Sequence, residues 1–125
     1  MALDHVTLRT ADLEATRAFL ETVLDLKVGY RPPFPFPGYW LYEGKDPIVH
    51  LIPGSGSPPR RDAETIDHAA FRLANYGESR ARLDALGLHY QTMDLPDLNE
   101  RRLFIHTPGG ILLELVFREE VPATL

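Results

Sequence analysis

Two histidines occupy matching settings sixty-three residues apart, His5 in LDHVTL and His68 in IDHAAF. Two further polar residues stand inside apolar runs, His50 in PIVHLI and Glu114 in ILLELVF. His5 to His50 is 45 residues and His68 to Glu114 is 46. Each half of the chain therefore offers one polar residue midway along its first apolar run and one midway along its last. Glu114 has apolar neighbours on both sides, as in a strand buried on both faces, and an ionised carboxylate there is costly unless paired or bound to a cation. Imidazole nitrogen and carboxylate oxygen suit zinc, nickel, iron(II) or manganese(II) in a site without thiolates. His5, His50, His68 and Glu114 are therefore candidate metal ligands. Each alone has a plainer explanation: a hydrogen-bonded core imidazole or, for Glu114, a pairing with an arginine such as Arg102. Recurrence at matching places in two halves is what favours a metal.

The elements that must position these residues repeat as well. ALDHVTLRT (2–10) reads as a strand. TADLEATRAFLETVLDL reads as a helix with Leu13, Thr16, Leu20 and Leu24 at helical spacing, and Phe19 and Val23 widening the stripe. Thr10 is the expected cap, with Asp12 and Glu14 favouring the positive end of the helix. LKVGYR, GYWLYEG and PIVHLI read as three strands, separated by the loop PPFPFPG and the turn EGKDP. After a Pro/Gly-rich linker, TIDHAAFRL, the helix NYGESRARLDALG ending at Gly87, and the strands LHYQTM, RRLFIH and GILLELVF repeat the order, with TPGG as a hairpin turn. The linker does not read as a phosphate-binding glycine loop, because no helix follows it directly. The expectation is one α+β domain over 1–125, built from βαβββ units at 1–52 and 65–118 joined by a linker at 53–64.

Composition narrows the function. The 125 residues suffice for one domain with a sizeable core. The net charge is −5, and the cations are scattered apart from Arg60-Arg61 and Arg101-Arg102, so no basic stripe exists for a nucleic acid. There are no cysteines, which excludes disulfides, thiolate metal sites and a cysteine nucleophile. No run approaches the roughly 20 apolar residues of a membrane span, and the first residues do not read as a signal peptide. The expected address is cytoplasmic.

The paired βαβββ pattern, the openings LDHVTL and IDHAAF, the helix pattern T-x-DLE followed by Phe19, and the closing T-PGG-x-x-LEL together resemble the vicinal oxygen chelate superfamily. That group includes glyoxalase I, extradiol dioxygenases, methylmalonyl-CoA epimerase, fosfomycin-modifying enzymes and metal-free bleomycin-binding proteins. The resemblance covers essentially the whole chain and implies two units forming a cupped, incompletely closed barrel with helices outside. It implies a divalent metal on His5, His50, His68 and Glu114, a small substrate with adjacent oxygens, and a homodimer. Extradiol dioxygenases would use His5, His68 and Glu114 and leave the position of His50 without a ligand. Glyoxalase I and the epimerase fill that position with Glu or Gln, so a histidine there favours the four-ligand branch while departing from its usual residue.

The chemistry the resemblance implies is of lyase or isomerase type, with the metal stabilising an enolate or oxyanion. Glu114 is the candidate base, and His50 the alternative. Phe34, Phe36, Trp40 and Tyr42 are expected at the pocket mouth, which would suit an apolar or aromatic portion of substrate, although they read equally as packing. Arg102 could meet an anionic substrate group or be an exposed strand charge. His89 reads as surface. His106, beside a turn, reads as surface too, with support of the metal site or a substrate contact as its functional alternative. Asp4 and Asp67, one residue before the paired histidines, point to the other strand face and are not expected to be ligands. A ring-cleaving dioxygenase and a non-catalytic small-molecule binder are the competing functions.

Overall fold

The computed structural model describes residues 1–54, 65–108 and 112–123. Strand β1 (Ala2–Thr10) leads into helix α1 (Leu13–Leu24), then β2 (Lys27–Gly29), β3 (Tyr39–Glu43) and β4 (Asp46–Pro53). Strand β5 (Thr65–Arg72) leads into α2 (Tyr76–Ala85), β6 (Gln91–Leu95), a 3-10 turn at Pro96–Leu98, β7 (Glu100–His106) and β8 (Leu112–Phe117). The βαβββ order therefore occurs twice in an α+β chain. The residues group into two compact units, His5–Asp67 and His68–Leu125, the latter taking in Met1–Asp4 as well.

In the unit His5–Asp67 the strand order is β2-β3-β4-β1, with β1 parallel to β4 and the other neighbours antiparallel. Side chains alternate across the strands, so one face carries Val6, Leu8, Val49, Leu51 and Leu41, which pack with Leu20 and Leu26 into a core under α1. The opposite face carries His5, Thr7, His50 and Trp40, since Thr7 and Trp40 both lie in register with His50. The alternation that builds the core thus delivers both histidines to one surface.

The second unit repeats the plan as β6-β7-β8-β5, again with the first and last strands parallel. Leu103, Phe117 and Leu115 face α2 and pack with Tyr76 and Leu83. Glu114 is in register with both Phe104 and Ala70, which places Glu114, Phe104, Arg102 and His68 on the other face. Helix α2 ends in a Schellman turn: Gly87 at φ 69 lets its own N–H reach Asp84 O and the Leu88 N–H reach Leu83 O. That is the stop expected from the sequence.

Other local details differ from the expectations. The cap of α1 is Asp12, whose carboxylate accepts from the Ala15 N–H. Thr10 sits two residues earlier, at the end of β1, buried, with its hydroxyl 2.8 Å from that of Thr16 and accepting from the Asp12 N–H. The apolar stripe of α1 is narrower than its spacing suggests: Leu20 is buried, but Phe19, Val23 and Leu24 are more than half exposed. Strand β6 begins at Gln91 rather than Leu88, because the Tyr90 hydroxyl turns back to donate to Asp84 and accept from Arg80 Nε. Pro53 completes β4 instead of opening the linker, and Gly54 donates to Thr10 O. Residues 55–64 of the expected linker and Gly109-Gly110 of TPGG lie outside the described residues. Among the described residues no helix is long and apolar enough to cross a membrane.

Candidate functional site

In the unit His5–Asp67, His50 is the middle of a column of three rings. Its imidazole lies 3.7 Å from that of His5, with 16° between planes, and 4.0 Å from the indole of Trp40, with 10° between planes. All three are buried. His50 Nε2 is 3.1 Å from Pro47 O, and a carbonyl oxygen only accepts, so Nε2 carries the proton and donates. A metal is held by an in-plane nitrogen lone pair, and the lone pairs of two nearly parallel stacked rings run side by side instead of converging. The stack therefore brings the His5 and His50 imidazoles together face to face.

The loop before β3 adds a smaller aromatic group. Phe34 stacks on Phe36 at 5.4 Å and tilts against Trp40 at 6.3 Å, while the Arg31 guanidinium lies over both phenyl rings at 5.1 and 4.9 Å. Burial pulls the Arg31 pKa below its ordinary value. Phe36 is exposed, and the Tyr42 hydroxyl donates to Tyr30 O.

In the second unit the polar residues are held by charge. His68 Nε2 and Glu114 Oε2 face one another at 3.5 Å, with both side chains largely buried. The other carboxylate oxygen, Oε1, accepts from Arg102 Nη1 at 3.3 Å. Arg102 is 4% exposed and donates through Nη2 to Glu100 Oε1 at 2.6 Å. Burial works against the charge of Arg102, but Glu114 and Glu100 outweigh it and hold its pKa above the ordinary value. The pairing that explains Glu114 without a metal is thus present, yet it engages one oxygen and leaves the other turned to an imidazole. Two donor atoms each about 2.1 Å from a shared ion, at a tetrahedral angle, stand roughly 3.4 Å apart. The His68–Glu114 separation fits a divalent cation.

Glu100 escapes notice in the sequence, although Glu100 and Arg102 at i and i+2 of NERRL share a strand face, and that spacing was the available signal. The Phe104 ring meets His68 edge-on at 6.1 Å. His89 and His106 are exposed, and both line a hollow in this unit. Asp4 accepts from Arg72 at 3.0 Å, and Asp67 from Arg9 at 2.6 Å, so the two aspartates beside the paired histidines are occupied by arginines at matching repeat positions.

A family model described as the Glyoxalase/Bleomycin resistance protein/Dioxygenase superfamily matches residues 2–115. Three solved structures illustrate the likeness. Methylmalonyl-CoA epimerase from Mycobacterium tuberculosis is 20% identical with a TM-score of 0.64, over 97% of this chain and 89% of that one. The Mn(II)-bound glyoxalase from Novosphingobium aromaticivorans is 20% identical with a TM-score of 0.71, over 94% of this chain and 38% of that one. The 2,3-dioxygenase LapB from Pseudomonas sp. KL28 is 18% identical with a TM-score of 0.73, over 99% of this chain and 44% of that one. At these identities the likeness is one of fold. No curated protein matches the chain in sequence.

Proposed function

Because the chain belongs to the Glyoxalase/Bleomycin resistance protein/Dioxygenase superfamily, we propose that it is a metal-dependent enzyme acting on a small substrate with two adjacent oxygens, and that His5, His68 and Glu114 hold the metal. The observation that carries the proposal is the buried His68–Glu114 pair, whose 3.5 Å separation suits two ligands of one ion. His5 enters as the residue equivalent to His68 in the repeat. Zinc, nickel, iron(II) and manganese(II) all accept this donor set.

Bound there, a divalent cation supplies Lewis acidity that stabilises negative charge on substrate oxygens. The protein's part is positioning. Arg102 engages Glu114 Oε1, so Oε2 is the oxygen turned toward His68. Pro47 O takes the Nε2 proton of His50, and Trp40 closes the far face of that ring. We therefore read His50 as the brace of His5 and not as a fourth ligand, which departs from the expectation drawn from sequence. In lyase or isomerase chemistry the proton acceptor is Glu114 through Oε2 or His50 through Nδ1, and a homodimer completes this reading.

A second reading, a ring-cleaving dioxygenase, is favoured by one observation: the stacked setting of His50 suits a site with two histidines and one carboxylate. That set leaves coordination positions open and is typical of non-haem iron oxygenases.

The test is elemental analysis of protein purified without chelator, for wild type, His5→Ala, His68→Ala, Glu114→Ala and His50→Phe. The expected result is about one ion per chain in wild type and His50→Phe, and loss in the other three. Loss in His50→Phe restores the four-ligand reading. Absence of metal from wild type, even after metal is added back, overturns the enzyme reading in favour of a metal-free binder. Catechol turnover by iron-loaded protein under air separates the two chemistries, and sedimentation velocity checks the dimer.

A further inference from the structure

The strand face that carries His68 and Glu114 continues past Phe104 into a hollow of about 560 Å³, formed within the second unit. Strand register explains its walls. Gln91 lies opposite Phe104, and His106 lies opposite Leu112, so β6, β7 and β8 all turn side chains to this side. Phe104, Leu112 and Met93 make the apolar part of the lining. His89, Gln91 and His106 supply its polar groups. The Tyr90 hydroxyl is committed to Asp84 and Arg80, so that residue contributes its ring.

This combination is selective. Among the described residues no carboxylate lines the hollow to hold a cationic group. Nor does a Lys or Arg among them line it, so it is not built for a highly charged phosphate ester. Two imidazoles and a primary amide present N–H donors around an apolar floor, and such donors satisfy a single carboxylate without a permanent ion pair. Exposed imidazoles beside an apolar surface are what a flat hydrophobic ligand with one acidic end would meet.

We propose that this hollow binds an arylacetate-type carboxylate, with the aromatic body on Phe104, Leu112 and Met93 and the carboxylate at His89, Gln91 and His106. The claim that such a ligand is the substrate rests on the metal reading above, because Phe104 also borders His68. The claim that the hollow binds it does not.

The test uses the full chain stripped with a chelator and titrated with phenylacetate, 2-phenylethanol and acetate, followed by calorimetry and by NMR shifts. Phenylacetate is expected to bind more tightly than either other probe, with shifts at His89, Gln91, Met93 and His106. The double variant His89→Ala/His106→Ala should weaken phenylacetate by about tenfold, as expected for losing charge-assisted hydrogen bonds, and change 2-phenylethanol less than about twofold. Met93→Glu, at a residue already 36% exposed, should weaken both aromatic probes by removing an apolar contact, and phenylacetate more than the alcohol because it adds a like charge. Absence of phenylacetate binding, or binding indifferent to all three substitutions, overturns the proposal. Phenylacetate binding by a chain that takes up no metal upholds the hollow and removes the metal reading. Metal uptake without phenylacetate binding does the reverse.

Discussion

The two repeats bury polar groups at equivalent positions and stabilise them by different means. In the first, His50 meets a backbone carbonyl through Nε2 and is sandwiched between His5 and Trp40. In the second, the equivalent residue is Glu114, a carboxylate that needs a buried arginine on one oxygen and faces an imidazole with the other. Stacking occupies both faces of the His50 ring, whereas the Glu114 carboxylate is held at one oxygen by an arginine and turns the other toward an imidazole. The same position in a repeated fold thus carries a stacked imidazole in one copy and an arginine-paired carboxylate in the other.

Substitutions can break this comparison from either side. The largest expected effect is Trp40→Ala, which removes the end of the ring column and leaves a cavity. A loss of about 4 kcal/mol of unfolding free energy is expected by urea denaturation. If His5 owes its orientation to the column, metal affinity falls as well. Glu114→Ala strikes the second unit by taking one carboxylate partner from the buried Arg102 cation, at a cost of about 3 kcal/mol. Replacing both members, as Glu114→Gln/Arg102→Met, should recover much of that stability and none of the metal binding. His50→Phe keeps the stack and loses the hydrogen bond to Pro47 O, so about 1 kcal/mol is expected. Thermal unfolding at matched pH measures it. Asp67→Asn, which breaks the partly exposed pair with Arg9, should cost under about 1 kcal/mol, and the difference should shrink in 1 M salt.

Much of this arrangement was legible in the chain because strand chemistry is unforgiving. A carboxylate in ILLELVF and a histidine in PIVHLI stand out against apolar neighbours whose spacing makes them strands, and the Asp-His repeat ties the halves together. The doubled βαβββ order followed from helix periodicity and turn residues. Partnerships between strands were not legible. That Trp40 faces His50 depends on the register of β3 against β4, which shifts at a bulge between Leu41 and Tyr42 that no local pattern announces. Arg102 was read singly, as a substrate contact or a surface charge, because its burial becomes visible only once β7 lies between β6 and β8. Helix α1 misled in another way. Phe19 and Val23 have the spacing of a core stripe, but the sheet face available to α1 is filled by Leu20, Leu26 and the strand residues beneath.

The ring column also makes the protein its own optical probe. Trp40 is the sole tryptophan, so the indole emission of the chain comes from one buried ring in face contact with His50. Events at His5 lie just two ring contacts from the emitter. Filling the site with a paramagnetic ion should quench this luminescence, and displacing the ion with zinc should restore it, giving a titration that needs neither label nor substrate.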